Sequence, residues 1–236
     1  MKNFDQKGYR IYRNFVTPNR CKRLLRHIDA YQSKHSLRRI FRKENERSLD
    51  YYVIDGNALQ SDLPVFWSLY RRMNRHLNKV CGMELSALSN PRAAVNINVT
   101  GGGGEYRWHY DRNRITALLY LNRTEGGEIE FYPNYRFVMA KDPTAKIQKI
   151  ADRVLQMKFI RNVFGKKIVA KPAPGKLIVM RGDRCLHSVR RVTGGGKRIN
   201  VVMAYDVPGR IFSNQVELDS YLYDEESQNK GDPNYS

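Results

Sequence analysis

The stretch 172–205, PAPGKLIVMRGDRCLHSVRRVTGGGKRINVVMAY, decides how the rest of the chain is read. KLIVM and INVVMAY are short runs of β-branched and aliphatic residues, set off by Pro-Gly before the first and a triple glycine before the second. Each run reads as a strand, and the glycines read as turns. Between them His187 opens the string HSVRRVTG. Upstream the same texture repeats in AAVNINV (93–99), ITALLYL (115–121) and EIEFY (128–132). Short strands separated by turns imply an antiparallel sandwich or barrel. One interruption, 142–164, carries a helical pattern in Ile147, Ile150 and Leu155 and reads as an insertion between strands.

Further towards the N-terminus the pattern changes. Residues 9–15 (YRIYRNF) alternate as a strand, and Thr17-Pro18 then supplies an N-cap and a first-turn proline. The helix that follows is expected to reach about Ser33, with Leu24, Leu25, Ile28 and Tyr31 on one face. A second helix fits Pro64 to about Lys79, with Val65, Leu69, Met73, Leu77 and Val80 aligned. The arginine-rich piece 35–47 has no clean period and is expected to be a mobile loop. The fold class is therefore mainly β with N-terminal helices (α+β). A single domain is expected: 1–90 as an N-terminal strand and supporting helices, 91–207 as the β core, and 208–236 as an acidic tail whose last residues, 225–236, are disordered.

The chain has 236 residues, with 42 Lys+Arg against 23 Asp+Glu and a net charge of +19. Basic residues crowd the N-terminal third and 141–198. Such a surface suits a nucleic acid or another anion, but without repeated aromatic interleaving the preferred reading is a solvated face. Cys21, Cys81 and Cys185 form no CxxC pair, which argues against a disulfide framework or a zinc ribbon and for a reducing compartment. The polar N-terminus and the lack of a long apolar run point to a cytoplasmic protein with no membrane partner.

His109-Tyr110-Asp111 is the first chemical clue. On a strand, residues two apart share a face, so the imidazole and the carboxylate can reach one ion. The motif is weak alone, and His187 strengthens it. Two histidines and one carboxylate from separate strands make the facial arrangement of non-haem Fe(II) oxygenases, which leaves three adjacent positions open. A structural zinc site would close all four of its positions. His27, His35 and His76, among basic residues in the helical region, read as surface or packing residues.

In these segments the chain resembles the 2-oxoglutarate/Fe(II) oxygenases, and within them the prolyl-hydroxylase-like branch. GGGGEYRWHYD is similar to the family's approach to the first two ligands, LLYLNRTEGGEIEFYP to the hairpin after it, and 172–205 to the segment carrying the last ligand and the cosubstrate anchor. The resemblance implies a double-stranded β-helix, a jelly-roll or cupin-like barrel with Fe(II) at its mouth held by His109, Asp111 and His187. It implies 2-oxoglutarate as cosubstrate, O2 as oxidant and ascorbate as a supporting reductant. Arg198 would pair with the distal carboxylate of 2-oxoglutarate, with Tyr120 as a further donor and Asn98 and Asn200 as neighbouring contacts. The GGGKR loop is one residue longer than usual, so spacing also admits Lys197 as the anchor; Arg198 is preferred because Asn200 shares its face. Thr100 stands where many prolyl hydroxylases have tyrosine, a departure in how that branch holds the cosubstrate.

The implied activity is hydroxylation of an unactivated C–H bond in an amino acid or other small metabolite, with release of succinate and CO2. Related halogenases have glycine or alanine at the carboxylate position, so Asp111 favours hydroxylation. The alternatives are action on nucleic acid or a protein side chain, and a non-catalytic ligand-binding barrel. Nucleic-acid demethylases of this type usually carry a second arginine on the last strand, which here continues Val202-Met203-Ala204-Tyr205. Segments 142–164 and 35–47 are expected to act as lids.

Overall fold

The computed structural model describes residues 4–43, 46–139 and 146–209. The N-terminal part runs α1 (Phe4–Lys7), β1 (Tyr9–Tyr12), α2 (Pro18–Gln32), β2 (Arg38–Arg42), β3 (Leu49–Ile54), α3 (Gly56–Ser61), α4 (Pro64–Cys81), β4 (Ser86–Ala87) and α5 (Pro91–Ala94). The core follows as β5 (Val95–Thr100), β6 (Tyr106–His109), β7 (Ile115–Tyr120) and β8 (Ile129–Tyr132), then α6 (Lys146–Gln156) and α7 (Lys158–Phe164), then β9 (Ile168–Ala170), β10 (Leu177–Arg181), β11 (Leu186–Val189) and β12 (Arg198–Asp206).

The strands form two antiparallel sheets. The larger has the order β1-β10-β7-β12-β5-β3-β2, with β4 added to β12, and the smaller β6-β11-β8-β9. This is the expected jelly-roll class. Apart from β2 and β3, neighbours in the sheets are distant in sequence, so the sheets close only once the whole core is in place.

The large sheet is packed on both faces, and its two faces bury different partners. On the outer face α2 and α4 lay down Cys21, Leu24, Ile28, Phe66, Leu69, Met73 and Leu77 in one core with Ile97, Val99, Leu119, Val179, Val201 and Met203. Alternate residues of the same strands, Leu118, Tyr120, Ile178 and Met180, point the other way and meet Ile129 and Phe131 of the small sheet. The helices start and stop where their caps predict. Thr17 Oγ1 accepts from the Arg20 amide and Pro18 opens α2, while Gly82, at φ +63°, ends α4 in the left-handed region.

Three local expectations change. Segment 35–47 contains β2, which pairs with β3 as a hairpin, Arg39 donating to both carboxylate oxygens of Asp50 at 2.8 and 3.0 Å. It shows no period because β2 is an edge strand on which only Ile40 is buried. Strand β1 stops at Tyr12, opposite Leu177; beyond it the partner chain is Pro172-Ala173-Pro174-Gly175, which cannot continue the ladder. In the insertion, Leu155 packs partly buried against Trp108, Tyr132 and their neighbours, but Ile147 and Ile150 face outward and the fully buried residues of α6 are Gln148 and Asp152. The acidic tail lies outside the described residues from 210 onward. Among the described residues no helix is long and apolar enough to cross a membrane, and the three cysteines are free and buried.

Candidate metal centre and the buried arginine beside it

Strands β6 and β11 pair so that His109 lies directly opposite His187. Trp108 and Leu186, one residue earlier on each strand, pack against Tyr110, Tyr132 and Tyr135 on the outer face of the small sheet. Alternation therefore turns both imidazoles towards the large sheet, with ring centroids 4.0 Å apart.

Asp111 arrives by a different route from the one the strand period suggests. Strand β6 ends at His109, and Asp111 is placed by Gly182, whose carbonyl accepts its N–H at 3.0 Å while the Gly182 amide donates to the Arg114 carbonyl at 3.1 Å. A Cβ at position 182 would lie 2.7 Å from Thr116 Oγ1 and 3.0 Å from Asp111 Cβ, so only glycine allows this approach. Asp111 Oδ1 then sits 3.5 Å from His109 Nε2 and 3.6 Å from His187 Nε2. Its other oxygen accepts from Thr116 Oγ1 at 2.5 Å, and Asn113 Nδ2 donates to that same hydroxyl at 2.9 Å.

The electrostatics suit a cation. Burial opposes the charge on Asp111, but His187, His109 and the Thr116 hydroxyl outweigh it and hold the carboxyl down at about 2. Burial, reinforced by His109, lowers His187 to about 4 against the pull of Asp111, so its imidazole is neutral at ordinary pH. Each Nδ1 lies 3.0 Å from a backbone carbonyl two residues earlier, that of Arg107 or of Cys185. An Nδ1–H donated there leaves each Nε2 lone pair facing Asp111. One ligand atom from each of the three residues falls within 4.8 Å of the others. A cation roughly 2.1 Å from each, at right-angled bonds, needs spacings of roughly 3 Å. The residues therefore fit an ion with a small inward adjustment.

A second group demands the opposite charge. Arg198 opens β12 opposite Thr100 of β5 and is 3 % exposed. It donates to Asn200 Oδ1 at 2.6 Å and to the Tyr120 hydroxyl at 3.3 Å, with its Cζ 5.1 Å from the centre of the Tyr120 ring. No carboxylate pairs with it among the described residues. Its Nε, Asn200 Nδ2 and Asn98 Oδ1, the last across the ladder from Asn200, are buried without a hydrogen-bond partner. A buried guanidinium with only neutral partners is half of an ion pair. Lys197, by contrast, is exposed, and its carbonyl accepts from Asn122.

Tyr120 packs with Phe131, which lies directly opposite His187 on β8, so both groups occupy the space between the sheets. The other histidines are elsewhere: His27 is exposed, His35 stacks on Tyr31 at 4.4 Å, and His76 packs on Tyr12 and Phe15. Sequence reasoning missed Asn113, Thr116 and Gly182. Only Thr116 carried a signal, two strand periods from Tyr120 and hence on the same face.

The family model described as the 2OG-Fe(II) oxygenase superfamily matches residues 95–205, which include His109, Asp111, His187 and Arg198. No curated protein matches the chain by sequence. Among solved structures, the epimerase SnoN from nogalamycin biosynthesis superposes with a TM-score of 0.65 at 12% identity, over 87% of this chain and 78% of its own. AviO1 from Streptomyces viridochromogenes Tue57 gives 0.64 at 15%, over 89% and 94%, and a Pseudomonas putida prolyl-4-hydroxylase gives 0.56 at 15%, over 87% and 96%. At such identities the likeness is one of fold. Together with the family match over residues 95–205, it makes the core of this chain similar to that of the 2OG-Fe(II) oxygenase superfamily.

Proposed function

We propose that this chain is an Fe(II)- and 2-oxoglutarate-dependent oxygenase that hydroxylates an unactivated C–H bond of an amino acid or other small metabolite, with His109, Asp111 and His187 as its iron ligands and Arg198 as its 2-oxoglutarate anchor. The observation that carries the reading is the pairing of a cation-seeking cluster with a buried, anion-seeking guanidinium in the space between the two sheets. Iron with 2-oxoglutarate and O2 supplies the oxidising power, and the cosubstrate leaves as succinate and CO2.

The chain's own residues prepare and confine that chemistry. His109 and His187 offer their Nε2 atoms, Asp111 offers Oδ1, and Thr116 holds the other carboxylate oxygen. Arg198 and the Tyr120 hydroxyl meet the distal carboxylate, and Asn200 braces the guanidinium from the side. The apolar wall of Leu118, Ile129, Phe131 and Met180 keeps water from the inner side. Small metabolites are favoured as substrates because SnoN and SnoK, the latter a carbocyclase, are named for nogalamycin biosynthesis. Three free thiols support a cytoplasmic setting.

The test begins with anaerobic titration of the Fe(II)-loaded protein with 2-oxoglutarate, followed by visible absorption. A metabolite and peptide library is then screened by mass spectrometry for a gain of one oxygen matched by succinate. Saturable 2-oxoglutarate binding is expected; its absence refutes the assignment of the site. The net charge of +19 favours nucleic acid as the second reading. Salt-dependent oligonucleotide binding together with oxidation of a base would put it in place of the first.

A further inference from the structure

The insertion carries its apolar side outward. Among the described residues, every exposed large hydrophobic side chain except Phe41 and Tyr52 lies between 137 and 169. Ile147, Ile150 and Val154 form a stripe along α6 at helical spacing, and Phe159, Val163 and Phe164 continue it on α7, with Phe159 and Phe164 each 73% exposed. Apart from Leu155, which packs on the Trp108–Tyr132 cluster, the buried side is held by polar groups. Gln148 bonds Met139 N–H and Phe137 carbonyl, Asp152 takes Arg136 Nε at 2.8 Å, and the buried Arg161 pairs with Glu46. These bonds fix the orientation, so the stripe cannot rotate inward without stranding buried polar groups. Patches this apolar are ordinarily covered.

We propose that the chain's own C-terminal segment, 210–236, covers this face. Charge is the first argument. The rim of the face is basic, with Lys146, Arg153, Lys158 and Lys166 exposed, whereas 210–236 carries Glu217, Asp219, Asp224, Glu225, Glu226 and Asp232 against Arg210 and Lys230. The same segment has apolar residues to fill the stripe, among them Phe212, Val216, Leu218 and Leu222. A second copy docked by the same face would bring two basic rims together.

Reach is the second argument. At the end of β12, Tyr205 pairs with Ile115, and Ile115 pairs with Arg181 at the end of β10. Two strand spacings of roughly 4.8 Å therefore separate the departing chain from the Arg181–Asp183 turn. The Asp183 carbonyl accepts from Arg136, the residue that holds Asp152 of α6. The 27 residues after Gly209 extend to roughly 90 Å at most, far more than this gap. Tethering makes the contact intramolecular, which raises the effective concentration to roughly millimolar.

Hydrogen exchange on the full-length protein at low micromolar concentration tests the proposal. Wild type is compared with a full-length Phe212→Ser/Leu218→Ser/Leu222→Ser variant and with a chain ending at Gly209; near-UV circular dichroism confirms that each is folded. Both changes should speed exchange in 146–164 about tenfold, and carbodiimide should join tail carboxylates to Lys146, Lys158 or Lys166 within single chains. Should truncation alone unfold the protein, the triple variant and the cross-links decide. Unchanged exchange in the triple variant overturns the proposal. So does protection of 146–164 that appears only as dimers form, or only on anionic phosphatidylserine vesicles, since the face then belongs to a second copy or to lipid.

Discussion

Thr116→Val separates orientation from ionisation at the proposed metal centre. Valine keeps the shape of threonine and removes the hydroxyl that donates to Asp111 Oδ2 at 2.5 Å. Asn113 Nδ2 loses one acceptor but keeps the Ile115 carbonyl at 2.7 Å, so no buried amide is stranded. A hydrogen bond to a charged group is worth about 1.5–3 kcal/mol. Losing it raises the Asp111 carboxyl from about 2 towards its ordinary 3.8. Even there only about one carboxyl in a thousand is protonated at pH 7. Weakened metal binding would then come from rotational freedom of the carboxylate, and groups that orient a ligand in this way carry about 10–100-fold in affinity. Competition with a fluorescent chelator for Mn(II), at pH 6, 7 and 8, measures it. The expected loss is at least about tenfold and uniform across that range, and Thr116→Ser restores affinity. Unchanged affinity, or a loss confined to the lowest pH, would refute the orienting role.

Arg198→Met should raise the 2-oxoglutarate requirement at least about thirtyfold, the equivalent of about 2 kcal/mol for one partner of a buried charge pair, while Lys197→Met leaves it unchanged. Titration of the two variants distinguishes the anchors. Gly182→Ala places a methyl group 2.7 Å from Thr116 Oγ1 and 2.8 Å from the Asn113 carbonyl, and should weaken Mn(II) binding and lower the melting temperature together. Burial works against the charge on Glu130, but Arg190, Arg47 and Lys167 outweigh it and lower its carboxyl from 4.5 to about 2. That is worth about 3 kcal/mol of stability, present in full above the unfolded value and lost as pH falls through the folded one. Denaturant melts of Glu130→Gln should show a deficit of that order at pH 7 that narrows between pH 4.5 and 2; a constant deficit would mean that charge is not its cause.

What the sequence disclosed follows from how far each determinant reaches along the chain. Strands β7, β10 and β12 are buried on both faces, so near-continuous apolar runs marked them, β5 was marked by its alternation of aliphatic residues with asparagine, and Thr17-Pro18 and Gly82 marked helix ends within a turn of themselves. Strand β2 escaped because an edge strand with one buried residue has no alternation to read. His109 and Asp111 were paired for the wrong local reason: their nearness depends on Gly182, seventy-one positions beyond Asp111, where a side chain would collide with Thr116. The sense of α6 was unreadable for a similar cause. Its apolar stripe looks like a core face until Arg136 and the Phe137 carbonyl, outside the helix, are seen to claim Asp152 and Gln148.

The site also explains why its two halves are built without internal compensation. Asp111, with no Lys or Arg side chain paired to it among the described residues, and Arg198, with only neutral partners, each leave charge unpaired between the sheets, which no sequence selected for stability alone would retain. A dication with one carboxylate ligand remains positive, and a dianion beside one guanidinium remains negative. Each guest therefore completes the charge balance of the other, and binding of either should tighten the other by the same factor. Manganese affinity should accordingly rise when 2-oxoglutarate is present, and that gain should vanish in Arg198→Met, which leaves the proposed metal ligands untouched.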